Sequence, residues 1–398
     1  MNYQKLNVEA VGISNKKLVL NLIRKGEITR RDISKISGLN PSTVTKIVKF
    51  LIDSNLCFEI GRKKSKNSVG RKAINLSVNP KAYQSLIVRI GVQKTEIGRG
   101  FFDGSVEILE TIRSTTNIAD FVSKVKTVSD KITESIPERN FLGVSVSVPG
   151  MVDTERAFII DVPHLGWKNL YVRDYVVTDK KGLFLDNEAN LSLIAESWKN
   201  PSIDGLKNVV FLYLSEGIGC GIMIDGNIYR GNTYSAAEFG HMSIEQDGPQ
   251  CYCGNSGCWE ALASTEAFVK KYRSAGGHTE GSNYNEQFSQ IINKTGNDEL
   301  AKENLKREEE LLAIGIVNIV NSLNPEAVVL GGMAGSLSEQ SIERIQKLVN
   351  DRVLYALKDK IKIVKSHLDK DGKIVSPGVG ATLMIIDRNI QKIISLNS

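Results

Sequence analysis

Residues 238–260 read EFGHMSIEQDGPQCYCGNSGCWE, and this stretch decides the interpretation of the whole chain. Three of the five cysteines fall within eight residues of it, and one of the four histidines stands ten residues before the first of these cysteines. The four side chains are His241, Cys251, Cys253 and Cys258. Three thiolates and one imidazole at this range are the ligand set of a closed, four-coordinate zinc site. Because such a site is full, we predict one structural zinc ion per chain; free core cysteines or a disulfide are the alternatives.

Two carboxylates, Glu238 and Glu260, stand at the ends of the same stretch. Gly254 and Gly257 permit the tight turns that bring the cysteines around one ion. A zinc-bound histidine has a second ring nitrogen that needs a partner, either a ligand hydroxyl or a backbone carbonyl. Carboxylates held at a fixed distance from such a histidine suit vicinal hydroxyls, so the stretch indicates sugar binding.

The pattern extends upstream, where residues 214–222 read LSEGIGCGI and small residues recur up to Gly240, next to His241. Together with the cysteine loop and Glu260, this pattern resembles the ROK family (repressors, open reading frames and sugar kinases). The resemblance implies a two-lobed, actin-like (ribonuclease H-like) α/β fold with a sugar in the cleft between the lobes. It nominates seven sugar-binding positions, which are Gly150, Asn169, Asn187, Glu188, Glu238, His241 and Glu260.

One departure from the kinases of this family lies at residues 187–188. Those kinases carry an Asn-Asp pair whose Asp is the catalytic base, whereas this chain has Asn187-Glu188. A glutamate could still accept a hydroxyl proton. Its carboxylate, however, reaches about 1.5 Å further, and phosphoryl transfer depends on alignment at that scale. His164 similarly stands where the family often has Asn.

The two phosphate loops depart from the kinase pattern as well. Residues 89–93 read RIGVQ in place of an Asp-x-Gly-x-Thr-like loop, and residues 215–217 read SEG where Gly-Thr-Gly is usual. Phosphates are held by backbone N–H groups, hydroxyls and Mg²⁺ at loops with little side-chain bulk. Val92 adds bulk, and Glu216 places a negative charge near a triphosphate, at a cost on the order of several kcal/mol. Although Gly331-Gly332 is retained, we expect neither ATP binding nor catalysis.

Length and composition are those of a soluble globular protein of two or three domains. The chain has 398 residues, of which 41% are hydrophobic and 24% charged. No apolar run reaches the roughly 18 residues of a membrane span, and residues 1–17 lack the apolar core of a signal peptide. With its thiol-rich loop, the protein is expected in the cytoplasm. Cys57 and Cys220, far from the cluster, are expected to be ordinary core thiols.

Positive charge is concentrated in the first 80 residues. They hold 16 Lys and Arg against 5 Asp and Glu, a net charge of +11 in a chain whose total is +6. The remaining 318 residues therefore sum to −5. A basic head on a mildly acidic body favours contact of the head alone with a polyanion.

The head is predicted to be a winged helix-turn-helix. Its helices are expected near residues 15–25, near 30–37 between Thr29 as cap and Gly38, and after Asn40 as cap with Pro41 at the first position. Two helices joined through a glycine turn form the helix-turn-helix pattern. Weak strands near residues 57–60 and 73–78 flank a basic, glycine-bounded segment, which predicts the wing. The head also resembles the N-terminal domain that ROK repressors carry and ROK kinases lack.

Duplex DNA is the expected partner of this head. Small polar residues at the start of the third helix let it enter a major groove, and basic residues meet phosphates. The predicted contacts are Ser42, Thr43, Thr45, Lys46 and Lys49 on the helix and Arg62, Lys63, Lys64, Arg71 and Lys72 in the wing. The alternative is a solvated basic loop beside a three-helix bundle.

After residue 80 the pattern changes to strands. Strands near residues 86–91, 96–102 and 106–111, a helix near 121–135 and a strand at 141–148 form a β-β-β-α-β run. We predict a DNA-binding domain at residues 1–80, a first lobe at 81–187 and a second lobe, with the zinc loop, at 188–377. The last helix, 378–398, is expected to return to the first lobe.

These features together predict a sugar-responsive repressor of carbohydrate catabolism genes, acting as a homodimer or higher even oligomer. The Asn187-Glu188 variant, the basic wing and the altered phosphate loops are most similar to the xylose-repressor branch of the family. The main alternative is an ATP-dependent sugar kinase with an added DNA-binding head. A further alternative is a protein-docking module in which the sugar cleft stays empty.

Overall fold

The computed structural model describes residues 8–62, 74–174 and 182–397. Its N-terminal head consists of three helices and a three-stranded antiparallel sheet in the order β1-β3-β2. The elements are α1 (Val8–Lys25), β1 (Ile28–Thr29), α2 (Arg30–Ser37), α3 (Pro41–Asp53), β2 (Cys57–Arg62) and β3 (Ile74–Val78). The predicted wing contacts Lys63, Lys64, Arg71 and Lys72 lie outside the described residues, and Arg62 is described only as the backbone end of β2.

The turn between α2 and α3 follows from local signals in the sequence. The side chain of Thr29 accepts a hydrogen bond from the N–H of Asp32 at 3.2 Å, and Gly38 ends α2 in the left-handed region, with φ 71°. Asn40 stands at the cap position of α3, as expected, but its side chain makes no capping hydrogen bond. Pro41 at the first position of α3 favours the start of the helix, since its ring presets the helical φ.

The middle of the chain forms a five-stranded sheet with a small satellite sheet. The elements are β4 (Gln84–Ile90), β5 (Lys94–Phe101), β6 (Val106–Arg113), α4 (Ile118–Glu134), β7 (Phe141–Val148), β8 (Met151–Asp153), β9 (Phe158–Val162), β10 (Trp167–Tyr171) and β11 (Leu183–Asn187). The large sheet has the order β11-β7-β4-β5-β6, and the satellite has the order β10-β9-β8. Strand β7 is buried along its whole length, as expected of the centre of a sheet covered on both faces.

The rest of the chain forms a second five-stranded sheet in the order β14-β13-β12-β15-β16. Its strands are β12 (Val209–Leu214), β13 (Ile218–Ile224), β14 (Asn227–Ile228), β15 (Ala327–Gly332) and β16 (Lys362–Lys365). The helices are α5 (Glu188–Lys199), α6 (Trp259–Ala263), α7 (Thr265–Ser274), α8 (Tyr284–Lys294), α9 (Glu299–Leu323), α10 (Glu339–Arg352) and α11 (Ser376–Leu396).

The two large sheets share one topology. In each, three consecutive strands form an antiparallel meander, and two later strands add in parallel beside its first strand. A β-β-β-α-β plan repeated in this way is the doubled architecture predicted for an actin-like fold. The cleft between the repeats runs past the carboxyl ends of the parallel strands, where ligands bind in open α/β sheets.

Helix α11 joins three parts of the molecule. It packs against α5 and against strands β4 and β7. Buried side chains of α1, namely Val19, Leu20 and Ile23, share one hydrophobic cluster with Ile386 and Ile390 of α11. The head is therefore continuous with the core beneath the first sheet.

A buried arginine reinforces this junction. Arg24, near the end of α1, is 2% exposed, and its Nε donates to the carbonyl oxygen of Phe102 at 2.9 Å. Its guanidinium carbon lies 5.3 Å from the ring centre of Phe102 and 4.9 Å from that of Trp198 on α5. Burial lowers the pKa of Arg24 to about 10, against the opposing charges of Asp387 and Asp103, so the group stays charged. Such cation–π contacts are stronger when desolvated.

Helices α5 and α11 approach each other at a glycine, which gives a testable prediction. A Cβ on Gly380 would lie 1.8 Å from the backbone oxygen of Leu191, so Gly380→Ala must separate the two helices. We expect a loss of about 1–3 kcal/mol in the free energy of unfolding, measured by urea denaturation. The control is Gly378→Ala in the same helix, where the nearest atoms are Val106 methyls at 3.7 Å. There the helix preference of alanine should be neutral or stabilising; equal effects of the two changes would contradict the close approach.

Among the described residues, no helix combines the length and the apolar character needed to cross a membrane.

Candidate functional site

A cavity of about 400 Å³ lies between the two halves of the fold. Six of the seven predicted sugar positions line it, and these are Gly150, Asn187, Glu188, Glu238, His241 and Glu260. Asn169 is the exception: it is exposed on β10 with φ 55° and is not among the described residues that line the cavity. The structure therefore does not bring Asn169 to the cavity, and its role as a sugar contact stays a prediction from the resemblance.

The end of β11 delivers Asn187 and Glu188 to the cavity. Asn187 caps α5, because its side-chain oxygen accepts a hydrogen bond from the N–H of Ala189 at 2.8 Å, and its Nδ2 donates to the carbonyl oxygen of Gly150 at 2.9 Å. One N–H and one lone pair of the amide remain for a ligand. A Cβ on Gly150 would lie 2.3 Å from the carbonyl oxygen of Asp161, so only glycine fits beside the satellite sheet.

Glu188 is a carboxyl group whose charge is suppressed. Burial raises its pKa to about 8; Arg89 opposes that shift, Glu216 adds to it, and a hydrogen bond with Tyr213 lowers the pKa. At neutral pH the carboxyl group therefore keeps its proton. In this form it can donate a hydrogen bond to a ligand hydroxyl as well as accept one.

His241 ends a short 3-10 helix and has a different neighbour at each ring nitrogen. Its Nδ1 lies 3.6 Å from the Sγ of Cys251, on the side of the cysteine loop. Its Nε2, on the cavity side, lies 3.2 Å from the hydroxyl of Tyr252 and 4.0 Å from a carboxylate oxygen of Glu238. Burial, and then the neighbouring Glu260, raise the pKa of Glu238 to about 7.

Glu260 is held against the start of strand β13. It is a buried residue of α6, and its Oε2 accepts a hydrogen bond from the N–H of Ile218 at 2.8 Å. A Cβ on Gly217 would lie 2.5 Å from the same oxygen. The glycine in this loop is therefore needed so that the carboxylate can approach the backbone.

The cysteine loop gathers a group that could hold a metal ion. One ligand atom from each of His241, Cys251, Cys253 and Cys258 lies within 4.8 Å of the other three. The Sγ atoms of Cys253 and Cys258 are 3.6 Å apart, close to the roughly 3.8 Å expected between two sulfurs on a tetrahedral ion at 2.3 Å. Within the described chain all five cysteines are free thiols, so the disulfide alternative is not what the structure has. The residues present therefore fit a tetrahedral metal.

The glycines of this loop are needed for its shape. Gly254 and Gly257 have φ angles of 94° and 67°, which L side chains rarely adopt. A Cβ on Gly257 would also lie 1.6 Å from the carbonyl oxygen of Glu245. Both glycines are thus required for the turns predicted from the sequence.

An ion pair beside the cavity joins the two halves of the chain and was missed by sequence reasoning. Arg230, after β14, donates to the Oδ2 of Asp186 at 2.5 Å from a terminal guanidinium nitrogen and at 3.2 Å from Nε. Asp186 is buried on β11, and its other oxygen accepts from the N–H of Asn187 and the Nδ2 of Asn190. The partners are 44 residues apart, so no local pattern signalled the pair.

A second cavity of about 650 Å³ is lined by residues of both altered loops, among them Arg89, Val92 and Glu216. Arg89, in the first altered loop, pairs with Glu96 at 2.7 Å and donates to the carbonyl oxygen of Ile374. The carboxylate of Glu216 accepts from the hydroxyl of Ser215 at 2.5 Å and from Asn285 Nδ2 at 3.0 Å. The lining thus includes a glutamate side chain that is held in place by hydrogen bonds, and its arginine is already paired.

The two cavities adjoin each other. Both are lined by Val92, Glu188, Tyr213, Ser215 and Glu216. Of these, only Glu188 was nominated for sugar contact; Tyr213, Tyr252 and Lys168 also line the sugar-side cavity and were not predicted. For Tyr252 the sequence did offer a signal, because the residue stands between two predicted metal ligands, Cys251 and Cys253.

The exposed face of α3 carries the predicted DNA contacts that the structure describes. Ser42, Thr45, Lys46 and Lys49 are exposed, and Thr43 is half-buried. The hydroxyl of Thr45 donates back to the carbonyl oxygen of Pro41 at 2.8 Å. On the opposite face Val44, Ile47, Val48 and Leu51 are buried, as the spacing predicted. The face is thus available to a groove while its core side anchors the helix.

Comparison with known proteins extends over nearly the whole chain. Residues 86–387 match the ROK family and residues 13–56 match a winged helix-turn-helix DNA-binding family. The xylose repressor of Caldicellulosiruptor bescii is 31% identical over 389 residues, covering 94% of this chain and 95% of that protein. The xylose repressor of Bacillus subtilis strain 168 is 27% identical, covering 96% and 97%. The dual regulator NagC of Escherichia coli K12 is 27% identical, covering 91% of each.

Solved structures share the fold at lower identity. A ROK family transcriptional regulator, described as a homolog of the E. coli MLC protein, has a TM-score of 0.71 at 24% identity and covers 97% of this chain and 98% of its own. A ROK family glucokinase of Streptomyces griseus, in complex with glucose and AMPPNP, has a TM-score of 0.66 at 22% identity, covering 76% and 98%. With its doubled sheet, its cysteine loop and its winged helix-turn-helix head, this chain belongs to the ROK family.

Proposed function

We propose that this protein is a sugar-responsive transcriptional repressor of carbohydrate catabolism genes. One observation supports the proposal: a helix-turn-helix head shares a hydrophobic core with a domain in which six of the residues nominated for sugar contact line one cavity. Residues of both altered phosphate loops line the adjoining cavity. We assign the head to residues 1–80, the first lobe to 81–187 with the final helix 378–398, and the second lobe to 188–377. A cytoplasmic location accords with this role.

The effector we propose is a neutral monosaccharide, with xylose favoured by the names of the full-length relatives. The proposed contacts are Gly150, Asn187, Glu188, Glu238, His241 and Glu260. Neutral Glu188 and the free amide N–H of Asn187 are donors, whereas Glu260 is an acceptor. Donors and acceptors around one cavity match hydroxyl groups, each of which can both donate and accept.

We propose that the metal of the cysteine loop is a structural zinc ion. His241, Cys251, Cys253 and Cys258 would hold it, with His241 binding through Nδ1. When bound, zinc supplies no chemistry beyond cross-linking the loop, because all four positions of a tetrahedral ion are filled by protein. The loop then presents Nε2 of His241 and the carboxylate of Glu260 to the cavity. Positions fixed in advance lower the entropic cost of binding a sugar.

We propose that the protein is not a sugar kinase. A kinase must hold a triphosphate with Mg²⁺ and keep an ionised base beside the reacting hydroxyl. Glu216 places a carboxylate in the second cavity, and the guanidinium of Arg89 there is paired with Glu96. Burial raises the pKa of Glu188 to about 8, so this group carries its proton at neutral pH. Each feature opposes phosphoryl transfer, and none opposes the binding of a neutral sugar.

DNA binding is proposed through α3 and the wing. Ser42, Thr43, Thr45, Lys46 and Lys49 would enter or flank a major groove, with Arg62, Lys63, Lys64, Arg71 and Lys72 on the backbone or minor groove. We propose a homodimer that places its two heads on half-sites about 34 Å apart, or a multiple of that distance. Sugar acts by binding one state of the cleft better than the other, which shifts the population of head arrangements.

Helices α5 and α11 offer a physical route for this shift. The first residue of α5 is Glu188, at the sugar cavity, and Trp198 near its other end stacks on Arg24 of the head. Because α1 and α11 share a core, movement of the lobes relative to each other changes the position of the head. Rigid packed elements of this kind carry coupling between distant sites.

The test is fluorescence anisotropy with a duplex that the protein itself selects from a random pool, titrated with xylose, glucose and N-acetylglucosamine, with and without ATP. We expect at least one sugar to change DNA affinity tenfold or more. ATP should have no effect on DNA affinity and should not be consumed.

Lys46→Ala should weaken DNA binding and reduce the slope of log K against log salt by about 0.9. The control, Lys124→Ala on α4, should change neither. ATP-dependent sugar phosphorylation at a metabolic rate, or no binding to any duplex, would refute the proposal.

A further inference from the structure

Tyr252 lines the cavity that holds the proposed sugar contacts, but it belongs neither to the metal group nor to those contacts. Tyr252 stands between Cys251 and Cys253, lines the cavity and is 51% exposed. Its ring centre lies 5.0 Å from that of His164 and 5.3 Å from that of His241, both edge-on. The backbone on either side is fixed by the loop, where the N–H of Cys251 donates to the carbonyl oxygen of Asn255 at 2.8 Å.

The hydroxyl of Tyr252 contacts one of the groups that we propose for sugar binding. It lies 3.2 Å from the Nε2 of His241, on the cavity side of that ring. Glu260, which also lines the cavity, accepts a hydrogen bond from the backbone N–H of Ile218. A sugar hydroxyl that contacts the Nε2 of His241 therefore requires the position that the phenol hydroxyl occupies.

We propose that Tyr252 sets the sugar affinity of this protein by standing in for one sugar hydroxyl at the Nε2 of His241 while the cavity is empty. The proposal rests on the sugar-binding function proposed above. Sugar binding exchanges the hydrogen bond of the phenol for one of the sugar, and the half-exposed ring turns away about its side-chain bonds. The fixed loop backbone lets this happen without disturbing the four metal ligands.

The proposal predicts the direction in which sugar affinity changes when the hydroxyl of Tyr252 is removed. If the phenol competes with the sugar, removing its hydroxyl must strengthen binding. If instead the phenol were a sugar contact, the same change would weaken binding. Tyr252→Phe should therefore raise sugar affinity about fivefold to tenfold, because the sugar no longer has to displace a hydrogen bond of the phenol. Tyr252→Leu also lacks the hydroxyl and should move in the same direction.

The experiment is isothermal titration of the metal-loaded, full-length protein with D-xylose, D-glucose and N-acetyl-D-glucosamine. Wild type, Tyr252→Phe, Tyr252→Leu and Tyr229→Phe are compared. Tyr229 is also 51% exposed and, among the described residues, is not part of the cavity lining, so its variant should keep wild-type affinity. Metal content and the thermal midpoint of each variant are measured alongside.

Tighter binding by both Tyr252 variants, at unchanged metal content, supports the proposal, and so does binding by Tyr252→Phe where the wild type binds too weakly to measure. A wild type that binds sugar and a Tyr252→Phe variant that binds equally or less tightly would overturn the role of Tyr252 and leave the repressor function standing. Absence of sugar binding in all four proteins would overturn both.

Discussion

Replacing Cys258 by serine is expected to abolish metal binding and to unfold the sugar-side loop. Cys258 is fully buried, and its sulfur is 3.6 Å from that of Cys253. Loss of one thiolate opens a four-ligand site, and the binding free energy of a structural metal is lost from folding stability. We expect less than a tenth of the wild-type zinc content and a loss of about 3 kcal/mol or more in the free energy of unfolding. Elemental analysis and urea denaturation measure these two quantities.

Loss of the metal should also weaken sugar binding. His241 and Glu260 stand at the two ends of the loop, and without the cross-link neither is held at the cavity. We therefore expect sugar affinity to fall at least tenfold in Cys258→Ser and in wild type treated with a chelator. The control is Cys57→Ser, the same change at a buried thiol outside the cavity lining, which should cost about 1–3 kcal/mol and leave zinc content intact. A chelated protein that still responds fully to sugar would exclude this role for the metal.

Arg230→Met is expected to be strongly destabilising, at about 3–5 kcal/mol in the free energy of unfolding. Asp186 is fully buried and relies on Arg230 for charge compensation, although the backbone N–H of Asn187 and the side chain of Asn190 also donate to it. Removing one partner of a buried pair leaves an uncompensated charge. Since Asp186 precedes Asn187 at the cavity, sugar affinity should fall as well. Chemical denaturation and sugar titration measure the two effects.

A surface pair supplies the matched control. Lys25 and Asp204 are 3.0 Å apart, with side chains that are 41% and 70% exposed. Screened pairs of this kind contribute about 0–1 kcal/mol, so Lys25→Met should be nearly neutral. The double variant Arg230→Met, Asp186→Leu removes both charges and should recover part of the lost stability. If Arg230→Met cost no more than Lys25→Met, the pair would not be a structural link between the lobes.

Local chemistry made much of this protein predictable. The possible metal ligands, the caps of α2 and the glycines of the cysteine loop each depend on neighbours within 17 residues. A thiolate cluster has few alternative uses, and a helix end must satisfy its own N–H groups, so these patterns constrain structure directly. The apolar spacing of α3 was equally informative, because 3.6-residue periodicity leaves one side to be buried.

Local pattern was not sufficient at two positions. Asn40 stands at the cap position of α3, but its side chain makes no capping hydrogen bond. Asn169, nominated by resemblance alone, is exposed and does not line the cavity. A suitable residue type does not decide whether a side chain meets a partner, because that depends on the packing around it.

From its sequence alone this protein had a determined family, a group of four possible metal ligands and a basic head, because motif spacing and charge are properties of the chain itself. Only the tertiary structure decided that Arg230 pairs with Asp186, that the hydroxyl of Tyr252 lies beside the Nε2 of His241, and that α1 shares a core with α11. The first of these contacts joins the two lobes, the second lies at the cysteine loop, and the third joins the head to the last helix. Their energies depend on burial and on distances of a few ångströms, neither of which is encoded in the spacing of residues along a chain.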